Sequence, residues 1–226
     1  TTVNKMCGSG LKSVMLAAQA NQSGDADIVV AGGMESMSLA PYLLERARTG
    51  YRYGDGAVVD SLLRDGLVDA YKKVHMGSCC ELLNREYRFT REEQDAFAVQ
   101  SYTRTLAAMD EGKFAAELVP VEIPQSRDGQ ATVVEDEEPR RVNFEKLPTL
   151  PPAFDSDGTV TAANSSSISD GAAAAVVAAA DVAKRLGAKP LARVVGQAGA
   201  AGTPEWFTVQ PSAAIRRLLN KINWSL

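Results

Sequence analysis

The chain has 226 residues and a formal net charge of −4, and apolar residues make up 45% of it while charged residues make up 23%. This balance excludes a disordered or collagen-like chain, the negative charge argues against a nucleic-acid partner, and the absence of an apolar run of roughly 18 residues argues against a membrane helix. Three cysteines, an odd and low number, argue against a disulfide framework and favour a reducing compartment, while a single histidine excludes a metal site built on several imidazoles.

Residues 1–37 are predicted to form a helix followed by a strand. The helix begins after Gly8, because apolar residues then recur at the spacing of one helical face. Residues 28–31 form a continuous apolar run, which is typical of a strand buried on both faces. Gly32 and Gly33 are predicted to end that strand.

Residues 38–156 have denser charge and more loop-forming glycines and prolines. A helix is predicted to begin near Met76, and Thr90 with Glu93 predicts a capping box at the start of another helix. The acidic run at 135–138 and the prolines that follow it predict solvated loops. The segment is typical of an insertion between two halves of a core fold.

The last part of the chain returns to the small, apolar composition of the first segment. An apolar stretch at 172–180 is followed by a predicted helix at 181–186, a predicted strand at 191–195 and a predicted helix at 212–221. Because helices and strands alternate along the chain, the sequence favours an α/β fold.

Cys7 is the first candidate for chemistry, because it lies where a loop becomes a helix and is flanked by Gly8 and Gly10. A helix N-terminus carries partial positive charge and free N–H groups, which stabilise a thiolate and raise its nucleophilic fraction. Small neighbours leave room for a bulky substrate to approach the sulfur. The alternative is a buried, unreactive thiol, which is the commoner state of a free cysteine.

Other polar residues have two interpretations each. His75, the only imidazole, is either the base of a cysteine hydrolase that uses Cys7 or a packed or surface side chain. The serines at 165–167 either bind a ligand amide at the end of a strand or cap the next helix. Cys79 and Cys80 are neighbours on a predicted helix and point in different directions, so they are predicted to be small packed residues rather than a paired site.

Several blocks of sequence occur in one order along nearly the whole chain: residues 4–12 (NKMCGSGLK), 31–38 (AGGMESMS), 75–77 (HMG), 92–98 (EEQDAFA), 152–155 (PAFD), 158–162 (GTVTA) and 170–174 (DGAAA). Together they resemble the thiolase family, and within it the acetyl-CoA acetyltransferase group. The resemblance implies a thiolase-like layered α-β-α-β-α fold, present here in part. Its three parts are the end of the N-terminal domain with the nucleophile helix at 1–37, the loop domain that covers coenzyme A (CoA) at 38–166, and the truncated start of the C-terminal domain at 167–226.

The resemblance also implies a reaction. Cys7 matches the nucleophile that takes the acyl group from an acyl-CoA. A carbanion from a second acetyl-CoA then attacks the acyl-cysteine to form acetoacetyl-CoA, and the reverse reaction is thiolysis. CoA and its thioesters are the implied substrates, with no metal or prosthetic group. The enolate oxygen needs positioned hydrogen-bond donors.

Further residues match positions at which the family binds CoA. His75 and Met76 match residues that line the CoA pocket, and Ser166 matches a serine that contacts the pantetheine arm. Phe154 lies in a segment that packs near the bound CoA. Arg140, or the arginine after it, matches a residue at the nucleotide end, with a local spacing that differs by one residue.

The sequence departs from the family pattern in ways that concern the site. Residues 165–167 are three serines where the family commonly has Ala-Ser-Gly, so a Cβ stands where the family has none. In the family, a Gly-His-Pro segment supplies the histidine that activates the nucleophile, a Cys-x-Gly segment supplies the cysteine that deprotonates the second substrate, and an Asn-Glu-Ala-Phe segment forms part of an oxyanion site. None of these three segments occurs in residues 1–226. Both ends are interpreted as breaks inside a longer protein, and we expect these residues alone to be impaired in condensation, because acid–base catalysis typically supplies ~10² to 10⁴-fold.

Three alternatives stand beside an enzyme that condenses acetyl-CoA. One is a degradative thiolase that acts on longer 3-ketoacyl-CoA chains, and another is an inactive CoA-binding remnant. A cysteine hydrolase that uses Cys7 and His75 is the most distant of the three. The resemblance implies a homodimer or homotetramer, and a cytoplasmic location is predicted, with the mitochondrion and the peroxisome as alternatives.

Overall fold

The computed structural model of the chain describes residues 1–125 and 129–226. These residues form two compact units, one of residues 1–76 and 168–226 and the other of residues 77–167. None of the helices in the described ranges is both long and apolar enough to cross a membrane. The division at 1–37, 38–166 and 167–226 follows the family's domains and not the compactness of the chain, and it stays a prediction.

The helices and strands are numbered in chain order. They are α1 (Ser9–Ser23), β1 (Ile28–Ser36), β2 (Tyr42–Leu43), β3 (Val59–Asp60), α2 (Met76–Tyr87), α3 (Arg91–Asp110), β4 (Val121–Gln125), β5 (Gly129–Val133), β6 (Asp170–Ala178), α4 (Ala180–Arg185) and α5 (Gln210–Ile222). The helices predicted after Gly8, near Met76 and at 181–186 and 212–221 are confirmed within a few residues at each end.

In the first unit, β1 pairs antiparallel with β6, from Ile28 opposite Ala178 to Ser36 opposite Asp170. The predicted end of β1 at the two glycines is therefore wrong, because the strand continues to Ser36. Gly32 allows β1 and β6 to pair closely, because a Cβ at this position would lie 2.3 Å from the carbonyl oxygen of Ala173. Without a side chain at this position the two backbones come close enough to continue the ladder.

Helix α1 covers one face of this two-stranded sheet. A Cβ at Gly33 would lie 3.3 Å from the Cα of Gly10, so the first turn of α1 lies close against β1. The hydroxyl of Ser13 donates to the carbonyl oxygen of Gly32 at 2.9 Å. These contacts fix the start of the helix, and with it the residues just before it, relative to the strand.

The other face of the β1–β6 sheet is apolar and exposed. Val30 on β1 is 72% exposed and its partner Val176 on β6 is 69% exposed, whereas Ala31, which faces α1, is only 4% exposed. The prediction of a strand buried on both faces is therefore wrong for these residues. Side chains alternate between the two faces of a strand, and α1 covers only one of them.

The predicted strand at 191–195 is also wrong. Residues 191–195 are irregular and pair with no strand among the described residues. A strand needs a neighbouring edge to satisfy its N–H and C=O groups, and these residues meet none. The chain next packs on α5, where a Cβ at Gly196 would lie 2.7 Å from the Ile222 side chain.

The second unit contains α2, α3 and the β4–β5 hairpin. The capping box of α3 is confirmed: the N–H of Glu93 donates to the Thr90 hydroxyl at 3.2 Å, and the N–H of Thr90 donates to the Glu93 carboxylate at 2.9 Å. The β4–β5 hairpin was missed in the sequence, where only residues 121–123 alternate between apolar and polar. Leu147, 1% exposed, lies in the core of this unit.

Candidate active site

Cys7 lies one residue before the N-cap of α1 and is exposed. The N-cap is Gly8, so the helix begins at Ser9 with no side-chain oxygen capping its first N–H groups. The unpaired N–H groups at a helix start carry partial positive charge. The thiol is therefore accessible and lies directly before the N-terminus of the helix.

A tight turn holds Cys7 in this position. The residue before it, Met6, adopts the left-handed backbone region at φ 50, which is uncommon for a side chain other than glycine. The turn is stabilised on both sides: the N–H of Met6 donates to the side chain of Asn4 at 2.9 Å, and the N–H of Lys5 donates to the hydroxyl of Ser9 at 2.8 Å. The hydroxyl of Ser9 in turn donates to the carbonyl oxygen of Met6 at 2.7 Å.

His75 and Met76 belong to the same unit as Cys7, and both are half-buried. His75 pairs with Val68 in an isolated antiparallel bridge, and Met76 is the first residue of α2. The loop between the bridged residues is fixed by Asp69, whose N–H donates to the carbonyl oxygen of Val74 at 2.8 Å. His75 therefore lies at a fixed position directly before the helix.

Phe154 belongs to the second unit and packs on the start of α2. Its ring fills the space above Gly77, where a Cβ would lie 2.3 Å from the ring atoms. Gly77 is the residue that follows Met76 in the sequence. Asp155 keeps Phe154 in place, because its carboxylate accepts hydrogen bonds from Ser78 at 3.1 Å and from Arg85 at 2.7 Å, both on α2.

Ser166 lies beside an open groove of about 310 Å³ in the second unit. The groove is bounded by residues 163–167 and by the side of α3 that carries Phe97 and Tyr102. The element after the three serines is strand β6, not a helix. The helix-capping interpretation of the serines is therefore wrong, and Ser166 stays exposed at the groove.

Arg140 also belongs to the second unit, where its guanidinium forms ion pairs with Asp110 at 2.7 Å and Glu135 at 3.3 Å. Both carboxylates hydrogen-bond the guanidinium and raise the pKa of Arg140. A ligand phosphate at this position has to compete with two carboxylates.

The two cysteines on α2 are packed as predicted. Cys79 is buried and Cys80 is half-buried. Burial raises the pKa of the Cys80 thiol, which lowers its thiolate fraction at neutral pH. In the described ranges, no group of three or more His, Cys, Asp or Glu side chains could hold a metal ion.

Three polar residues, of which Glu81 and Asp95 are buried and Asn164 is half-buried, were missed in the sequence. Glu81 on α2, Asp95 on α3 and Asn164 form hydrogen bonds to the segment that leads to Ser166. The signal for Glu81 was its position between Cys80 and Leu82 on a helix, since an acidic residue among apolar neighbours indicates a buried partner as well as a solvated face. That signal alone does not identify the partner.

The chain matches known proteins over its whole length. A family model described as "Thiolase, N-terminal domain" matches residues 1–181. An acetyl-CoA acetyltransferase of Yarrowia lipolytica is 51% identical over 221 residues, which are 98% of this chain and 55% of that protein. One of Pseudomonas aeruginosa is 48% identical over 226 residues, which are 100% of this chain and 58% of that protein. The chain thus spans about half the length of these curated relatives.

A solved structure shows the same fold. The crystal structure of Acat5 thiolase from Ascaris suum in complex with coenzyme A matches with a TM-score of 0.90 and 43% sequence identity. The match covers 99% of this chain and 56% of that one. The predicted fold class, a partial α/β fold of this kind, is confirmed.

Proposed function

We propose, from the premise that this chain belongs to the thiolase family, that Cys7 is the nucleophile of an acyl transfer between CoA thioesters. The observation that carries the proposal is the exposed thiol held by a hydrogen-bonded turn directly before the N-terminus of α1. A nucleophile must be both reachable and fixed in direction to gain from proximity. The alternative of a buried, unreactive thiol does not fit this exposure.

The first step is acylation of Cys7. Its thiolate sulfur attacks the carbonyl carbon of an acyl-CoA, a new carbon–sulfur bond forms, and the bond to the CoA sulfur breaks. CoA leaves as a thiolate and takes up a proton.

The second step is condensation. An acetyl-CoA loses an α-proton, its carbanion attacks the acyl-cysteine carbonyl to form acetoacetyl-CoA, and the sulfur of Cys7 is released. Thiolysis is the reverse. The resemblance assigns the proton transfers to a histidine and a second cysteine in segments that these residues do not contain, so the proposal for these residues is acylation and CoA binding.

CoA binding is proposed for His75, Met76, Phe154 and Ser166, with Arg140 at the nucleotide end. The support is that His75 and Met76 lie at the start of α2, that Phe154 packs on the residue after them, and that Ser166 faces a groove. No metal or prosthetic group enters the proposal. A homodimer or homotetramer and a cytoplasmic location, or else a mitochondrial or peroxisomal one, complete it.

The test is covalent labelling. The intact protein is incubated with radiolabelled acetyl-CoA, quenched in acid and digested, and the labelled peptide is identified by mass spectrometry. We expect the label on the peptide that contains Cys7, and its loss in Cys7→Ala. Cys80→Ala is the matched control and should keep the label. Label on another residue, or no label at all, contradicts the proposal and favours a CoA-binding remnant.

Chain-length preference needs a separate measurement. Thiolysis rates for acetoacetyl-CoA and for a long-chain 3-ketoacyl-CoA are compared on the same preparation. We expect a higher kcat/KM for acetoacetyl-CoA, in line with the acetyl-CoA acetyltransferase relatives. A preference for the long chain favours the degradative alternative.

A further inference from the structure

Asp95 on α3 and Asn164 form a hydrogen bond within the second unit. The side-chain amide of Asn164 donates to the carboxylate of Asp95 at 2.9 Å. Asp95 is only 8% exposed, so this bond lies in a setting of low dielectric where it is stronger than in water. Asn164 directly precedes the three serines that include Ser166.

The other N–H and the oxygen of the Asn164 side-chain amide also form hydrogen bonds. Its second N–H donates to the carbonyl oxygen of Thr159 at 3.1 Å, and its oxygen accepts from the N–H of Thr161 at 2.7 Å. A side-chain amide has two donors and one acceptor oxygen. Both donors and the oxygen are thus engaged, which fixes the backbone of Asn164 relative to α3.

Asp95 is itself held by Arg91, one turn earlier on α3, at 2.7 Å. The same guanidinium donates to the carbonyl oxygens of Leu147 and Leu150, each at 3.0 Å. Arg91 and Asp95 are both largely buried. An ion pair whose charged groups also make hydrogen bonds to their surroundings holds its geometry, because losing one partner leaves the other charge unpaired.

A short turn from Thr161 to Asn164 precedes the serines. The hydroxyl of Thr161 lies 3.3 Å from the N–H groups of both Ala163 and Asn164, so the backbone is bonded up to the residue before Ser165. Residues 163–167 then form one wall of the groove at which Ser166 is exposed. The orientation of that wall depends on the bonds of Asn164.

We propose that Asp95 and Asn164 are positioning residues that hold the Ser165–Ser166 backbone in the conformation that receives the pantetheine arm of a CoA thioester. The inference rests on the proposed function, because it takes the assignment of Ser166 to pantetheine from it. Neither residue reacts; both act through the serine segment. Changing either should therefore alter affinity for pantetheine-bearing ligands rather than the chemistry at Cys7.

The test uses the affinity of the intact protein for desulfo-CoA, measured by calorimetry, so that binding is observed without acylation. In Asn164→Asp a carboxylate faces the carboxylate of Asp95, and we expect the Kd to rise about 10-fold or more. The exchange of both residues, Asp95→Asn with Asn164→Asp, restores one donor and one acceptor, and we expect it to recover part of the loss as a coupling between the two positions. Glu92→Gln, an exposed change on α3, is the matched control and should leave the Kd unchanged.

A second readout separates positioning from general damage. Acylation by phenyl thioacetate, which has no pantetheine arm, should proceed equally in the parent and in the variants, while the KM for acetyl-CoA rises and kcat stays within about 2-fold. An unchanged Kd in Asn164→Asp, or an equal loss with both thioesters, overturns the inference. If Asn164→Asp unfolds at the assay temperature, Asp95→Asn carries the test, with a rise in Kd of about 3-fold expected and no change overturning it.

Failure of the proposed function has a different signature. If the unaltered protein acylates no cysteine with either thioester but binds desulfo-CoA with the expected dependence on Asp95 and Asn164, the nucleophile assignment is wrong and the positioning role stands. If it binds no desulfo-CoA, both are wrong.

Discussion

The buried carboxylate of Glu81 accepts a hydrogen bond from the backbone N–H of Val160 at 2.6 Å. It accepts two more from Thr159, one from the N–H at 2.7 Å and one from the hydroxyl at 3.1 Å. Glu81 is only 1% exposed. Gly158 makes room for it, since a Cβ there would lie 2.3 Å from a carboxylate oxygen. The bonds join α2 to the segment that leads to Ser166.

Removing this carboxylate should destabilise the second unit. Glu81→Ala leaves the buried N–H of Val160 and the half-buried N–H of Thr159 without an acceptor. Each unsatisfied group costs about 1–3 kcal/mol, so we expect the free energy of unfolding to fall by about 3 kcal/mol. Glu81→Gln keeps an oxygen acceptor and should lose about 1 kcal/mol. Urea unfolding followed by circular dichroism measures both. Glu86→Gln, exposed on the same helix, is the control, and an alanine variant as stable as this control contradicts the prediction.

Filling the space under the Phe154 ring should disturb the start of α2. Gly77→Ala places a methyl group against the ring, and overpacking of this kind costs about 1–3 kcal/mol, so we expect a lower thermal midpoint and weaker binding of desulfo-CoA. Adding Phe154→Ala removes the clash, so the two changes together should cost less than their sum. Gly66→Ala meets open space and serves as the control. Additive effects of the pair would show that the ring does not determine the need for glycine.

Stability should depend on pH through Asp170. Its carboxylate accepts from the hydroxyl of Ser38 at 2.5 Å and from the N–H of the same residue at 2.9 Å, and these bonds hold the pKa of Asp170 below its ordinary value. A lowered folded-state pKa means that the stabilisation is complete above the unfolded pKa of about 4 and is lost as the pH falls through the folded value.

The measurement for Asp170 is the thermal midpoint of the parent and of Asp170→Asn between neutral and acidic pH. We expect the parent to be the more stable at pH 7 and the two curves to converge below about pH 4. Asp55→Asn, an exposed change in the same unit, should follow the parent at every pH. A gap between parent and Asp170→Asn that is as wide in acid as at neutral pH speaks against a role for the charge.

Tyr102 should lose its proton at a higher pH than an ordinary tyrosine. Partial burial and the 2.6 Å hydrogen bond from its hydroxyl to Glu138 raise the pKa of Tyr102 to about 12. Because the folded value lies above the unfolded value of about 10, this bond stabilises the fold fully below pH 10 and is lost as the pH rises towards 12. The difference in phenolate absorbance between the parent and Tyr102→Phe gives its titration curve, and Glu138→Gln should move that curve to lower pH.

Tyr53→Phe is the control for this titration, because Tyr53 is fully exposed. Overlapping curves for the two residues would contradict the assigned environment of Tyr102.

Local signals in the sequence predicted helices well and strands less well. The capping box at Thr90 and the apolar spacing after Gly8 depend on residues a few positions apart, and the structure confirms both helices. Strand predictions failed at 191–195 and at the end of β1, because a strand needs a partner, and that partner can be distant in sequence, as β6 is from β1.

For the candidate site too, local features were predicted from the sequence and contacts between distant segments were not. By itself the sequence determined the family, the cysteine before a helix and the segments expected to meet CoA, since these depend on residue types in a fixed local order. Only the tertiary structure decided that Cys7 is exposed, that Phe154 packs on Gly77, and that Glu81 and Asp95 are buried against the loop before Ser166. Burial and pairing of a side chain depend on which distant segment packs on it, and a local pattern of residue types does not identify that segment.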